Sequence, residues 1–300
     1  MSPGVMFTPI VITVVRSAEL PALPYLLGLA SASNIGGVVT LTGNPQNMII
    51  GTTAGLSYNR FLLRMAPVGL LGLLVDAALL CYLFRHQLPR GPLRRPEVPP
   101  PPLDRRLVVK AVGVLGIVVL GFLGGRSMSG MALAGAAVLT LIARTAPRPV
   151  FQRVDWSLLL FFAGLFVVVE GAARTGALER AHEALAPLFG RTAGRQLVLF
   201  GLFSEIGSNV VSNVPYVLAA RSWVPHLLEP GYQWTSLAMT STLAGNLTLV
   251  GSVANLIAFE LAGADGHVGF WRFSRYGIVI TIATTALGFA ILLGEMRLGL

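Results

Sequence analysis

The feature that most constrains this chain is an uncharged run of 40 residues from Leu20 to Asn59. One helix of that length would measure about 60 Å, twice the hydrocarbon thickness of a bilayer. The centre of the run, residues 34–47, contains Gly, Asn and Pro, which break helices and leave backbone groups unpaired. Because such a break is tolerated at membrane depth only when it lines a cavity or is buried in protein, the run predicts a broken helix inside a larger assembly.

Composition indicates a polytopic helical membrane protein. Apolar types make up 54% of the 300 residues and charged types 12%, and the mean hydropathy is +0.72. Soluble domains carry roughly 25% charged residues. The net charge of +9 does not indicate a nucleic-acid partner, because the cations lie between apolar segments instead of on one face. The single cysteine, Cys81, excludes an intrachain disulfide and a cysteine metal cluster.

Other apolar runs divide the chain further. Predicted spans, complete or with their flanks, are Met65–Phe84, Leu107–Gly125, Ser127–Ala143, Trp156–Val169 and Tyr276–Gly294. The run Ile206–Ala220 is short for a span and contains Pro215, which favours a re-entrant hairpin. Residues 230–259 form a second overlong run, interrupted by Gly and Asn at 245–246 and by Gly and Ser at 251–252.

Proline and arginine are concentrated between two halves of the chain. Residues 86–106 read as an extended linker, which the positive-inside rule places in the cytoplasm. The first repeat then occupies residues 1–85 and the second occupies residues 107–300. Residues 174–195 mix charged and apolar types and predict an amphipathic helix in the membrane interface.

An internal repeat points to function. Residues 40–49 and 248–257 share Thr, Leu, Gly, Asn and Ile at a constant offset of 208, and each copy lies in a broken apolar segment. Matched broken helices are typical of secondary transporters, which bind substrate between their repeats. Packing of small residues is the alternative, but it leaves the matched Asn47 and Asn255 unexplained. An unpaired amide in hydrocarbon costs several kcal/mol, so both asparagines need partners, such as an ion or a substrate.

The segment 208–215 lies at the tip of the expected hairpin. Helix N-termini at such a tip carry partial positive charge and free N–H groups that favour an anion. Carbonyl, Ser and Asn oxygens beside them can hold sodium. One tip can therefore bind both an anion and a coupling cation.

Three motifs carry a resemblance to a known family. They are SNIGGVVTLTGNPQN at 33–47, SNVVSNVP at 208–215 and AGNLTLVGSVAN at 244–255. Together they resemble the ion transporter superfamily, closest to its arsenite permease and sodium/proton antiporter group, beside the citrate and dicarboxylate carriers. The resemblance implies an all-α fold of two inverted repeats, each with a re-entrant hairpin and a broken helix, that moves by alternating access.

The motifs and the resemblance together give the candidate sites. The expected substrate-binding residues are Asn44, Pro45, Gln46, Asn47, Ser212, Asn213, Val214, Ser252 and Asn255. The expected cation-binding residues are Thr42, Gly43, Ser208, Asn209, Asn213, Thr248, Gly251 and Asn255. Glu205 and Asp76 are the candidate acids for a proton or cation, because ionisable groups inside a membrane are usually functional. Asp76 has an alternative interpretation as the partner of an arginine.

The chain departs from the family at its start. An offset of 208 from Ser212 and Asn213 leads to Gly4 and Val5, where the first hairpin tip should lie. The segment Met6–Ile12 resembles the outgoing arm of that hairpin, and a signal peptide is the rival interpretation. We therefore expect a chain that lacks its N-terminal helices.

The expected function is ion-coupled secondary transport of a small anion or oxyanion, of the carboxylate or arsenite type. The alternatives are a sodium/proton antiporter, a non-transporting remnant, and one half of a split transporter that needs a separate N-terminal partner. No cofactor is expected beyond sodium or a proton. The expected surroundings are the lipid bilayer of a bacterial inner membrane, and a homodimer is a further expectation. No enzyme is expected: His182-Glu183 lacks a second histidine at Ala186, and no phosphate-binding loop occurs.

Overall fold

The computed structural model describes residues 3–89, 91, 104–152, 154–263 and 268–299, and within them the chain is helical without strands. Most of the predicted linker therefore lies outside the described residues. The helices are α1 (Pro3–Ser17), α2 (Ala22–Val38), α3 (Pro45–Ala54), α4 (Tyr58–Leu83), α5 (Arg105–Leu123), α6 (Met128–Ile142), α7 (Pro147–Gln152), α8 (Trp156–Arg174), α9 (Ala177–Leu185), α10 (Ala193–Val211), α11 (Asn213–Ala220), α12 (Pro230–Leu243), α13 (Val253–Leu261) and α14 (Phe270–Leu298).

Four helices, α4, α5, α8 and α14, are long and apolar enough to cross a bilayer. The predicted span at Ser127–Ala143 forms the 15-residue helix α6, which is shorter than the roughly 17–25 residues of a typical span. The all-α polytopic fold predicted from composition is confirmed.

Both overlong runs are broken at the positions where glycine, asparagine and proline predicted a helix break. We call residues 39–44, between α2 and α3, the first break, and residues 244–252, between α12 and α13, the second break. Pro45 occupies the first turn of α3, where its missing N–H costs nothing. Asn44 caps that helix by accepting a hydrogen bond from the Asn47 backbone N–H at 2.8 Å.

The predicted hairpin is formed by α10 and α11, which are joined at Ser212. The Ser212 backbone has φ 75° and ψ 152°, a conformation that normally requires glycine. Gly207 faces the Tyr216 ring so closely that a side chain at 207 would not fit, which brings the two arms together. The first arm begins at Ala193 and is longer than the apolar run beginning at Ile206 suggested, because it also contains the charged Glu205.

The predicted interfacial helix over residues 174–195 is only partly correct. Its amphipathic portion is α9, which ends at Leu185 and is followed by a 3₁₀ turn over Ala186–Phe189. Arg195 already lies in α10, because Gly190 adopts a positive φ and a new helix begins at Ala193.

The core is built around α12, in which every residue from Tyr232 to Leu243 is buried. Helices α2, α10 and α14 pack against it, and α4 packs against both α2 and α14. Helix α8 has no buried residue, and α5 buries only a small cluster against α6. The start of the second break is therefore inside the protein and the first break is half-buried, while the apolar faces of α5 and α8 are outside.

Candidate functional site

The first break is closed by the side chain of Asn47. Its Nδ2 atom donates to the carbonyl oxygens of Gly37, at 3.1 Å, and Thr40, at 3.0 Å. Gly43 lies against Gly37 so tightly that any side chain there would overlap the Gly37 carbonyl. The amide thus joins two carbonyls of the interrupted helix end, one of which, Thr40 O, also accepts the Gly43 backbone N–H at 3.1 Å.

The second break is closed in the same way by Asn255. Its Nδ2 atom donates to the carbonyl oxygens of Gly245, at 2.7 Å, and Thr248, at 3.3 Å. Gly245 and Thr248 lie 208 residues after the two carbonyl partners of Asn47, which is the offset of the sequence repeat. We call each of these arrangements an asparagine clasp.

The two clasps are also joined to each other. Asn34 in α2 donates to Oδ1 of Asn255 at 3.2 Å, and Thr242 in α12 lies 3.5 Å from Oδ1 of Asn47. The Thr242 hydroxyl donates more closely to Ala238 O, at 2.7 Å, so its contact with Asn47 is the weaker one. Positions 34 and 242 are again related by 208. Reciprocal contacts of this kind are what a two-fold relation between two repeats produces.

These contacts revise one step of the sequence argument. Asn47 and Asn255 are fully buried, as the sequence suggested, but their amides have protein partners. An ion or substrate is therefore not needed to account for the matched pair. Their assignment to the binding site stays a prediction.

Other predicted residues gather at the first break. Asn44 donates to the Thr242 hydroxyl at 3.0 Å, and Gln46 lies 3.5 Å from the same oxygen. Thr42 lies 3.3 Å from the Tyr58 hydroxyl at the start of α4. The 42–47 segment therefore packs against the end of α12, where the second break begins.

The hairpin is attached to the second break through Asn209. Its Nδ2 atom donates to the Ala244 carbonyl at 2.6 Å, and its Oδ1 atom accepts from the Thr248 hydroxyl at 2.8 Å. A Cβ atom added at Gly251 would lie 3.0 Å from Asn209 Oδ1. Three of the expected cation-binding residues are thus in one place, and Ser252 caps α13 beside them through the Ala254 N–H.

Two polar atoms near the hairpin turn are buried without a hydrogen-bond partner among the described residues. They are the Ser208 hydroxyl and Asn213 Oδ1. Val214 is buried next to them, whereas Ser212 at the turn is exposed. Because buried polar atoms are almost always satisfied in folded proteins, these two are candidates to bind a ligand.

The two candidate acids are buried in separate places. Glu205 in α10 accepts a hydrogen bond from Thr285 of α14 at 2.7 Å. Asp76 in α4 accepts from Ser31 of α2 at 2.8 Å, and its second oxygen is buried and unpartnered in the part of the chain that the structure describes. Within the described ranges the partner of Asp76 is therefore a hydroxyl and not an arginine.

Sequence reasoning missed Asn34, Thr242 and Asn246 as members of this polar cluster. The offset of 208 relates Asn34 to Thr242, but their residue types differ, so identity did not reveal the relation. Asn246 belongs to the motif at 244–255, and its Oδ1 atom accepts from Asn34 at 2.8 Å.

Known families and proteins similar to this chain include transporters. The family described as "Citrate transporter" matches residues 4–244. The 46 kDa membrane protein of Mycobacterium leprae (strain TN) is 33% identical over 301 residues, which cover 94% of this chain and 70% of the relative.

Two further relatives come from eukaryotes. A transporter named arsB of Dictyostelium discoideum is 25% identical, covering 95% of this chain and 70% of the relative. A silicon efflux transporter of Oryza sativa subsp. japonica is 28% identical, covering 98% of this chain and 75% of the relative.

Proposed function

This chain belongs to the citrate transporter family, and we propose that it is a secondary active transporter of a small anion or oxyanion. As a member of that family it is an integral membrane transporter and not an enzyme. The proposal adds the class of substrate and a coupling ion, sodium or a proton. Relatives named for citrate and for silicon suggest a small ligand rich in oxygen.

The observation that carries the coupling proposal is the pair of unpartnered atoms beside the hairpin turn. Asn213 Oδ1 can only accept a hydrogen bond or bind a cation, and the Ser208 hydroxyl can do either. Neutral oxygens of this kind are the ligands that sodium takes in broken-helix transporters. Asn209, Thr248 and Gly251 hold the second break beside this turn.

The anion would be bound where short helices begin. Helix α3 begins at Pro45, α11 at Asn213 and α13 at Val253, all within the candidate site. Each N-terminus carries partial positive charge and N–H groups without intrahelical acceptors. Helix α3 packs against both α11 and α12.

The proposed cycle moves the hairpin and broken helices against the spanning helices of the scaffold. In this proposal residues 1–85 and 107–300 are the two repeats, residues 86–106 connect them in the cytoplasm, and the host membrane is a bacterial inner membrane. A site at the interface of two repeats is exposed alternately to each side by such a motion.

The alternative function is sodium/proton exchange without an anion. The buried carboxyls of Glu205 and Asp76 favour it, because intramembrane acids commonly bind the transported proton. Glu205 lies on the hairpin arm and against α14, so a change in its protonation would act on an element expected to move.

Flux into proteoliposomes separates these functions. The purified chain is tested with citrate, arsenite and silicic acid, each under a sodium gradient, a proton gradient and no gradient. We expect gradient-dependent uptake of at least one of them. Sodium-dependent proton movement with no uptake of any of the three would contradict the proposal and favour the antiporter. A chain that folds and moves nothing would favour a remnant, or a half that needs a partner.

A further inference from the structure

The Asn246 side chain brings a buried amide nitrogen to the polar cluster. Asn246 is 2% exposed, and its Nδ2 atom is buried without an acceptor among the described residues. Leaving a buried donor unpaired costs about 1–3 kcal/mol.

The orientation follows from Asn255. The two carbonyls that its side chain contacts, Gly245 O and Thr248 O, can only accept hydrogen bonds. The atom facing them is therefore the amide nitrogen, and Oδ1 faces the other way, towards Asn34.

The orientation of the Asn34 amide in turn fixes the orientation of the Asn246 amide. Because Oδ1 of Asn255 can only accept, the Asn34 atom 3.2 Å away must be its amide nitrogen. That nitrogen lies 2.8 Å from Asn246, so the Asn246 atom facing it must be the oxygen. Rotating the Asn246 amide by 180° would place two donors against each other. The unpaired atom of Asn246 is therefore a donor, fixed by four successive contacts.

A second observation concerns α14. Gly277 packs directly against the Asn246 carbonyl, and a side chain at 277 would overlap it. Ser274 and Thr281, three residues before and four after, lie on the same helical face. Both are buried, and their hydroxyls have no partner within the described ranges. The second break thus faces further unsatisfied hydroxyls.

We infer that the Asn246 amide donates a hydrogen bond to an oxygen of the transported anion. The inference rests on the proposed function and sharpens it, because an N–H group cannot bind sodium or a proton. A cation-only exchanger has no use for a buried donor that its own neighbours hold in place. An anion rich in oxygen supplies the missing acceptor.

The variant Asn246→Asp tests the donor alone. It retains an oxygen for Asn34 and replaces the free NH₂ group by a second oxygen. Citrate uptake is measured in proteoliposomes as a function of citrate concentration and, separately, of the sodium or proton gradient. At neutral pH we expect the KM for citrate to rise roughly 10- to 150-fold, the value of one hydrogen bond to a charged group, with the dependence on the coupling ion unchanged. Lower pH, which protonates the new carboxyl, should partly restore the KM.

Two variants accompany it. Asn246→Ala should raise the KM similarly without recovery at low pH, and a cooperative thermal melt like that of the wild type shows that each variant is folded. Asn59→Asp makes the same change at an exposed asparagine that bonds Leu123 O, and should leave the KM unchanged. Wild-type KM values in folded Asn246→Asp and Asn246→Ala would overturn the inference while leaving anion transport intact. A wild-type chain without anion uptake would instead remove the proposed function itself.

Discussion

The two breaks have the same clasp but different attachments. Each is closed by an asparagine that donates to carbonyls seven and ten residues earlier. The first break is short, is capped by Asn44 and contacts α4 through Thr42 and Tyr58. The second is longer and is attached to the hairpin through Asn209.

The asparagine clasp that the two breaks share is determined by the local sequence. The attachments in which they differ are determined by the helices that pack against each break. A clasp needs an asparagine and two carbonyls within ten residues, which a repeated motif supplies twice. The attachment to the hairpin depends on residues 35–39 positions apart in the chain. We therefore expect damage to the clasps to act on stability in both repeats, and damage to the hairpin contacts to act on transport through the second break.

The largest effect is expected from Asn47→Ala and Asn255→Ala. Each variant removes two hydrogen bonds to backbone carbonyls. The Thr40 and Thr248 carbonyls keep the backbone N–H groups of Gly43 and Gly251 as donors, so the main loss falls on Gly37 and Gly245, at about 1–3 kcal/mol. Both should lower the melting temperature by similar amounts and abolish uptake. Asn59→Ala, which removes an exposed bond to a backbone carbonyl, is the matched control and should alter neither. A normal melting temperature in either clasp variant would show that the amide is not a structural element.

A smaller and one-sided effect is expected at the hairpin contact. Asn209→Ala and Thr248→Val both remove the 2.8 Å bond between these side chains, so their effects on uptake should not add. A double-mutant cycle on uptake should give a coupling of about 0.5–3 kcal/mol, because the residues are in direct contact. Simple additivity would mean that the hairpin and the second break do not act together.

A smaller effect is expected from exchanging Asn34 and Thr242, which contact Asn255 and Asn47. In Asn34→Thr with Thr242→Asn, each repeat receives the donor that the other repeat normally has. Reciprocal contacts predict that the double variant retains more uptake than either single variant. A double variant worse than both singles would argue that the two-fold relation is only approximate at these positions.

The smallest effect is expected where α9 meets the base of the hairpin. The His182 ring lies 5.4 Å from His226 and 6.1 Å from Trp223, and Trp223 Nε1 donates to Leu178 O. Burial lowers the pKa of His182 below its ordinary value of 6.5, and His226 adds to the shift against a smaller opposing effect of Glu183.

The lowered pKa of His182 makes the packing of α9 weaker at low pH. The packed state of α9 binds fewer protons than a detached one, so the contact is fully favourable above pH 6.5 and weakens as the pH falls through the lowered pKa. Hydrogen exchange of residues 177–189 should accelerate between pH 7.5 and 5.5 beyond the chemical rate. His182→Gln should remove that change, whereas His86→Gln, at an exposed position, should not. Equal exchange in the wild type and His182→Gln would refute the assignment.

Much of the fold could be predicted because membranes restrict what an apolar run can do. The uncharged length of 20–59 and the repeat at 248 located both breaks, and the length of 206–220 located the hairpin. The start of α10 could not be predicted, because Arg195 and Glu205 interrupt the apolar pattern although the helix continues through them. The link between Asn34 and Asn255 depends on tertiary crossing of α2 and the second break, which no local pattern encodes.

The conformation of Ser212 has a consequence for how tolerant the hairpin is of change. A non-glycine residue at φ 75° and ψ 152° costs of order 1–3 kcal/mol, which glycine would avoid. The serine side chain does not repay this by capping α11, since it makes no capping hydrogen bond. Ser212→Gly is therefore the first choice for a substitution that increases the stability of the protein. Natural proteins keep such destabilising residues mainly where activity needs them. At position 212 the balance between stability and activity therefore depends on a single hydroxymethyl group.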